Sequence, residues 1–177
     1  MIFQSSFMVV YMKLRKLEIK DAQLMLEWMH DKDVVKDLGT DFLSKTLDDC
    51  VCFIKHSRES NNDVHMAVAD ENDVYMGTVS LKAIDRDFRT AEFAITVRKQ
   101  AMGKGFSSYA MKEIIRIGFE ELNLKAIYWC VLKDNKRAVR FYDKNGYSRT
   151  STVNKEIYNR YSEEQNRNFF WYCAYRE

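Results

Sequence analysis

One short run in this chain has the residue types to hold a phosphate. Gln100-Ala101-Met102-Gly103-Lys104-Gly105 contains two of the six glycines. It stands between a strand-like stretch and a helix-like one. A glycine turn feeding a helix presents unpaired backbone N–H groups at the positive end of the helix dipole. Glycine also lets that backbone approach a phosphate with no Cβ in the way. The run is therefore a candidate pyrophosphate cradle, with a plain tight turn as the alternative. It is not a P-loop, because no G-K-[ST] follows at the required spacing. It is not a dinucleotide fingerprint either, since three successive strands precede it and the G-x-G-x-x-G spacing is missing.

Composition excludes other chemistry. The cysteines are Cys50, Cys52, Cys130 and Cys173. Cys50-Val51-Cys52 has no second C-x-C or H-x-H, so no metal site is expected. They read as small buried hydrophobes of a reducing cytosol, and the expected location is cytoplasmic. Lys plus Arg total 28 and Asp plus Glu 26, a net charge of +2. That gives no electrostatic case for a nucleic-acid partner. A length of 177 residues suits one domain, with enough core to fold without staples. Residues 1–11 are apolar, but they lack a basic n-region and a cleavage site and are too short to span a bilayer. They read as an N-terminal extension, an upstream-start segment or a first strand. Residues 12–177 are the expected domain, with no membrane association.

The elements that must position the glycine run follow from periodicity. Residues 13–17 alternate as a strand. Residues 21–29 carry a helical apolar stripe, and Thr46-Leu47-Asp48-Asp49 starts a second helix that ends near 56–57. Residues 65–69, 74–84 and 89–97 read as strands, joined by turns at 70–73 and 85–87. The period then becomes helical from Phe106 to about Leu122. Residues 126–132 form an almost wholly apolar strand, as expected where both faces are covered. Asn135 to Lys144 is a helix, with Gly146 as its stop. Residues 147–153 and 169–174 close the chain as strands. The fold class is α+β, with one β-α-β crossover in the second half.

A second run, Asn135-Lys136-Arg137-Ala138-Val139-Arg140-Phe141-Tyr142-Asp143-Lys144-Asn145-Gly146-Tyr147, lies one strand beyond the glycines. The two runs together resemble the GNAT superfamily of acyl-CoA-dependent N-acetyltransferases. The first is similar to its Q/R-x-x-G-x-G/A loop. The second is similar to its N-x-x-A-x-x-x-Y-x-K-x-G-[FY] segment. The resemblance extends from about Met12 to the C-terminus, in the subgroup typified by ribosomal-protein and spermidine N-acetyltransferases. Arg89-Thr90-Ala91-Glu92-Phe93 also looks like that subgroup. It implies a central, mixed but mostly antiparallel sheet of about seven strands, with a splayed parallel pair and about four flanking helices. It implies acetyl-CoA as cosubstrate, a primary-amine acceptor and direct attack in a ternary complex.

The resemblance also assigns residues. Backbone groups near Ile95 and Val97 would bind the pantetheine arm. Gln100, Met102, Gly103, Lys104, Gly105, Phe106 and Ser107 would surround the pyrophosphate, with Lys104 as a point charge or a plain solvated lysine. Asn135 would bond the pantetheine or cap its helix, and both roles can coexist. Tyr142 would supply a proton to the departing thiolate, since a phenol of pKa about 10 stays protonated at pH 7; a core aromatic is the alternative. Glu92, on the strand before the glycines, is the candidate proton acceptor for the amine. Binding the substrate ammonium, or simple surface charge, are its alternatives. Trp28, His30 and Asp31 fall where the family builds its acceptor site, although Trp28 reads first as core. The polar tail 158–168 departs from the spermidine enzymes, so the expected acceptor is a small amine such as an amino sugar. A protein N-terminus and a polyamine are alternatives, and a non-catalytic CoA-binding module is a rival of another class. The aromatic strand at 169–173 would close a homodimer or finish the monomer core.

Overall fold

The computed structural model describes residues 11–176; of the N-terminal extension, residues 1–10 lie outside them. The strands are β1 (Lys13–Lys16), β2 (Val64–Ala69), β3 (Tyr75–Asp85), β4 (Thr90–Val97), β5 (Ala126–Leu132), β6 (Ser148–Arg149) and β7 (Phe169–Tyr175). They form one seven-stranded sheet in the order β1-β2-β3-β4-β5-β7-β6. All neighbours are antiparallel except β4 and β5, which run parallel. The expected four helices are present as α1 (Ala22–Met29), α3 (Leu47–Ser57), α4 (Phe106–Arg116) and α5 (Lys136–Lys144). Single-turn helices α2 (Lys32–Val35), α6 (Lys155–Tyr158) and α7 (Glu163–Arg167) are added to them. A π-helical turn over Ile117–Glu121 extends α4. No helix among the described residues is long and apolar enough to cross a membrane.

The sheet has helices on both faces. Phe106, Ala110, Met111 and Ile114 of α4 pack with Phe93, Ile127 and Trp129 of the central strands. On the opposite face Met25 and Trp28 of α1 and Cys50 and Ile54 of α3 pack with Ala67 and Tyr75. Local chemistry sets the helix starts. Thr46 and Asp49 form a reciprocal capping box on α3, and the Asn135 side chain caps α5. Each satisfies backbone N–H groups that the first turn leaves free.

The tail differs from the expected strand over 147–153. Only Ser148 and Arg149 pair with β7. Thr150 then stops the strand, its hydroxyl accepting from Thr152 N and donating to Thr152 O, each at 3.0 Å. Such a hydroxyl turn competes with the ladder for backbone groups. Asn154 caps α6 just ahead of the polar tail 158–168, and Ser162 caps α7 within it.

Candidate active site

The parallel pairing of β4 and β5 is short. It covers Thr90↔Ala126, Ala91↔Ile127 and Glu92↔Tyr128 only. β4 nevertheless continues to Val97 and β5 to Leu132. Past Glu92 the two strands splay, and a cleft of about 440 Å³ opens between them. The edge of β4 from Phe93 to Val97 has lost its strand partner there. Such an edge can pair with an added extended chain.

The glycine run lies at the end of β4, beside this cleft. Gly103 has φ 75° and Gly105 φ 89°, both left-handed. Gly105 is the N-cap of α4 and no side chain caps that helix. The first intrahelical bond is from Tyr109 N–H to Gly105 O, 3.0 Å. The N–H groups of Phe106, Ser107 and Ser108 precede it and find no acceptor within the helix. A Cβ built on Gly103 meets nothing within 4 Å, so the loop stands clear of the chain. Free N–H donors at a helix start beside an open strand edge fit a pyrophosphate followed by an extended pantetheine arm. The residues present therefore fit acetyl-CoA.

Deeper in the cleft stand Asn135, Tyr142, Cys130 and Glu92. Asn135 is 8% exposed, and its Oδ1 accepts from Ala138 N–H at 3.0 Å. Tyr142 is 7% exposed and packs against Trp129 and Tyr172, ring centroids 5.5 and 5.2 Å apart. Burial raises its phenol above the ordinary tyrosine value, so it stays protonated. Among the described residues its hydroxyl has no hydrogen-bond partner. Burial also pushes the Cys130 thiol up to about 12. That thiol is not a thiolate near neutral pH and is a poor nucleophile.

Glu92 is 2% exposed. Its Oε1 accepts from the Tyr161 hydroxyl, and from Lys82 Nζ at 3.3 Å. Arg160 Nε lies 3.1 Å from Oε2 as an ion pair, off the line of a hydrogen bond. The carboxylate thus ties the segment before α7 to the point where the sheet splits.

The remaining expected site residues scatter. Ile95, Val97, Met102, Gly103 and Ser107 line the cleft. Gln100 is exposed and turned away, with its amide oxygen 2.6 Å from Arg98 Nη1. Lys104 is exposed at the loop and Phe106 is buried beneath it. Trp28 lines a second cavity of about 340 Å³ on the α1–α3 face. It is also part of the core, donating to the Tyr75 hydroxyl at 3.0 Å. His30 and Asp31 line neither cavity. His30 Nε2 pairs with Lys45 O at 2.8 Å, and Asp31 caps α2. Asp31 thus serves a backbone N–H that the first turn of α2 leaves free, and His30 a carbonyl of the loop before α3.

The second cavity shares Phe42, Lys82, Ala94, Ile95 and Thr96 with the first. It also contains His65 and Ser80, which the sequence reading passed over. These residues face each other on β2 and β3, and His65 Nδ1 is 2.7 Å from Ser80 Oγ. The available signal was register. Symmetry about the turn at 70–73 pairs His65 with Thr78, and the observed register, shifted between Val68 and Ala69, pairs it with Ser80 on the same face of the hairpin.

A seven-stranded sheet split at its parallel pair, with a glycine loop feeding a helix at the split, is the architecture of the acyl-CoA-dependent acyltransferases that the two motifs resemble. The family model described as acetyltransferase (GNAT) domain matches residues 12–148, and the chain belongs to that family. It is an acetyl-CoA-dependent N-acetyltransferase. The chain is 29% identical over 130 residues to the N-acetyltransferase p20 of Bacillus licheniformis, covering 72% of this chain and 73% of that one. It is 28% identical over 136 residues to the spermidine N(1)-acetyltransferase of Escherichia coli K12, covering 77% and 72%. Its fold is similar to that of Vibrio cholerae spermidine N-acetyltransferase in complex with CoA and spermine. The TM-score is 0.74 at 22% identity, over 93% of this chain and 94% of that one.

Proposed function

We propose that this enzyme acetylates the primary amine of a small molecule by direct attack within a ternary complex. The observation that carries the reading is the meeting of two cavities at Ala94, Ile95 and Thr96. One cavity fits acetyl-CoA along the free edge of β4. The other opens on the same residues from the α1–α3 face and admits the amine.

Backbone N–H groups along β4 near Ile95 meet the charge that develops on the carbonyl oxygen. Tyr142 holds the departing sulfur through its hydroxyl. A raised phenol pKa favours a donor that hydrogen-bonds the thiolate over one that surrenders its proton outright. Asn135 keeps its Oδ1 on the α5 cap and directs its remaining amide donors toward the pantetheine. The protonated Cys130 argues for direct attack rather than an acyl-enzyme. Glu92, its oxygens engaged by Lys82, Tyr161 and Arg160, serves as an anchor of the C-terminal stretch rather than as the proton acceptor.

The charge around the second cavity selects among acceptors. Its lining includes Lys45 and Lys82 but one carboxylate, Asp49. Asp49 is already bonded to Thr46. A compact, singly charged amine fits this lining better than a chain of ammonium groups. The likeness to spermidine acetyltransferases favours the second reading, a polyamine acceptor. Thiol release from acetyl-CoA tests both across amino sugars, simple amines, spermidine and an N-terminal peptide. Small monoamines are expected to show the highest kcat/KM. Spermidine well above all others would establish the polyamine reading. Acetyl-CoA binding with no amine turned over would leave a non-catalytic module.

A further inference from the structure

The reaction leaves one task without a residue. The attacking nitrogen must lose a proton, and Glu92 is already paired with the cations of Lys82 and Arg160, and nearby cations favour a carboxylate's charged form. The second cavity holds another group suited to it. We propose that His65, acting through the Ser80 hydroxyl, is the proton acceptor for the amine. The proposal rests on the reading that the amine enters by this cavity.

Register places the pair. His65 on β2 is opposite Ser80 on β3, and Ser80 is opposite Ala94 on β4. Cross-strand partners stand on one face of the sheet with Cβ atoms about 5 Å apart. Histidine, hydroxyl and a small alanine therefore form a row that ends on the strand shared by the two cavities. The small Ala94 leaves room above β4 for the amine, within reach of Ser80. Ser80 is 6% exposed, and its Oγ bonds His65 Nδ1. A hydroxyl held in this way has one proton to give the imidazole and lone pairs to meet an incoming N–H.

The surroundings keep His65 in its accepting form. Burial holds its imidazole below the ordinary histidine value, with Lys82 on β3 adding to the effect and Asp63 before β2 opposing it. From α3, the Phe53 ring packs edge-on at 4.8 Å, and Asp49 and Lys45 line the same cavity. A neutral imidazole is a weak base toward a free ammonium of pKa about 10, and an ammonium has no lone pair to attack with, so the amine reacts in its neutral form. The imidazole is adequate for the remaining N–H proton, because that nitrogen's own pKa falls as it bonds the carbonyl carbon. The step balances. The C–N bond forms as an N–H proton passes to Ser80 Oγ and the Ser80 proton passes to His65 Nδ1. The C–S bond breaks and the thiolate, held by the Tyr142 hydroxyl, takes a proton from water. Imidazolium then releases its proton to solvent, leaving N-acetylamine and free thiol.

The test is the pH dependence of kcat/KM for the best amine of the panel, in wild type, His65→Gln and Ser80→Ala. Acetyl-CoA binding is measured in parallel by thermal shift. Wild type is expected to lose activity on the acid side with a midpoint below about 6.5. Each variant should lose roughly 10²-fold in kcat/KM, bind acetyl-CoA as wild type does, and lack that acid limb. The double variant should be no worse than the worse single one, since the two groups act as a unit. If His65→Gln does not fold, Ser80→Ala, which removes one oxygen, carries the same readout. Retention of the acid limb and of kcat/KM within about threefold in the folded variants would overturn the proposal. Failure of wild type to turn over any amine would instead overturn the function proposed above.

Discussion

Replacing Tyr142 by Phe removes one oxygen and nothing else, so it separates packing from chemistry. The rings around Tyr142 are those of Trp129 at 5.5 Å, Phe141 and Tyr172 at 5.2 Å each, and Tyr147 at 6.4 Å between centroids. Phenylalanine keeps all of these contacts. The hydroxyl has no hydrogen-bond partner among the described residues, so no buried donor or acceptor is orphaned by its loss. Stability should therefore change by no more than about 1 kcal/mol. For a chain of this size that is a shift in Tm of roughly 2–4 °C. If the hydroxyl holds the departing sulfur, kcat should fall roughly 10²-fold, or about 2.7 kcal/mol of barrier. KM for acetyl-CoA should hardly move, because the lost interaction belongs to the transition state. The assay is initial-rate thiol release at saturating amine, with thermal unfolding alongside. A kcat within about twofold of wild type would refute the role. So would a large fall in Tm that carried the activity down with it, since Tyr142 would then be a packing residue.

Further outcomes follow from the same geometry. Gly103→Ala forces a Cβ onto a residue at φ 75°, which costs about 1 kcal/mol in strain, and should weaken acetyl-CoA binding about tenfold by calorimetry; an unchanged Kd would remove the cradle assignment. Glu92→Ala leaves Lys82 and Arg160 facing each other without their carboxylate, and should lower stability by about 2 kcal/mol and expose residues 155–167 to proteolysis. Unchanged stability with lost activity would restore Glu92 as a proton acceptor. His65 is held below its ordinary pKa when folded. The unfolded chain then binds the extra proton first, so stability rises with pH up to about 6.5 and is lost as pH falls below it. Unfolding temperatures between pH 5 and 8 should show that slope in wild type and a flatter one in His65→Gln, and equal slopes would contradict it.

Much of this protein could be read without coordinates, for local reasons. Thr46 and Asp49 announced a helix start because a cap needs only neighbours within one turn. The apolar run 126–132 announced a strand covered on both faces, and β5 is that strand. Gly103 and Gly105 marked a left-handed turn because few other residues adopt one cheaply. The Thr150 turn and the single-turn helices after it were misread, since an apolar-polar alternation too short to dominate was overridden by hydroxyl and amide caps.

What spacing along the chain could not decide was every relation across the sheet. Glu92 had the chemistry of a base, and only the fold shows that Tyr161, Lys82 and Arg160 reach it from other parts of the chain. His65 and Ser80 carried no motif, and only the register of β2 on β3 put imidazole against hydroxyl. His30 and Asp31 had the chemistry for a site, yet their helix ends took them for backbone groups. The sequence by itself determined the family and the left-handed glycine turn before α4, because both rest on short contiguous segments whose backbone conformation is locally encoded. Tertiary structure alone decided which titratable groups meet across the sheet, because hydrogen bonding and burial depend on strands and loops that the chain brings together from far apart.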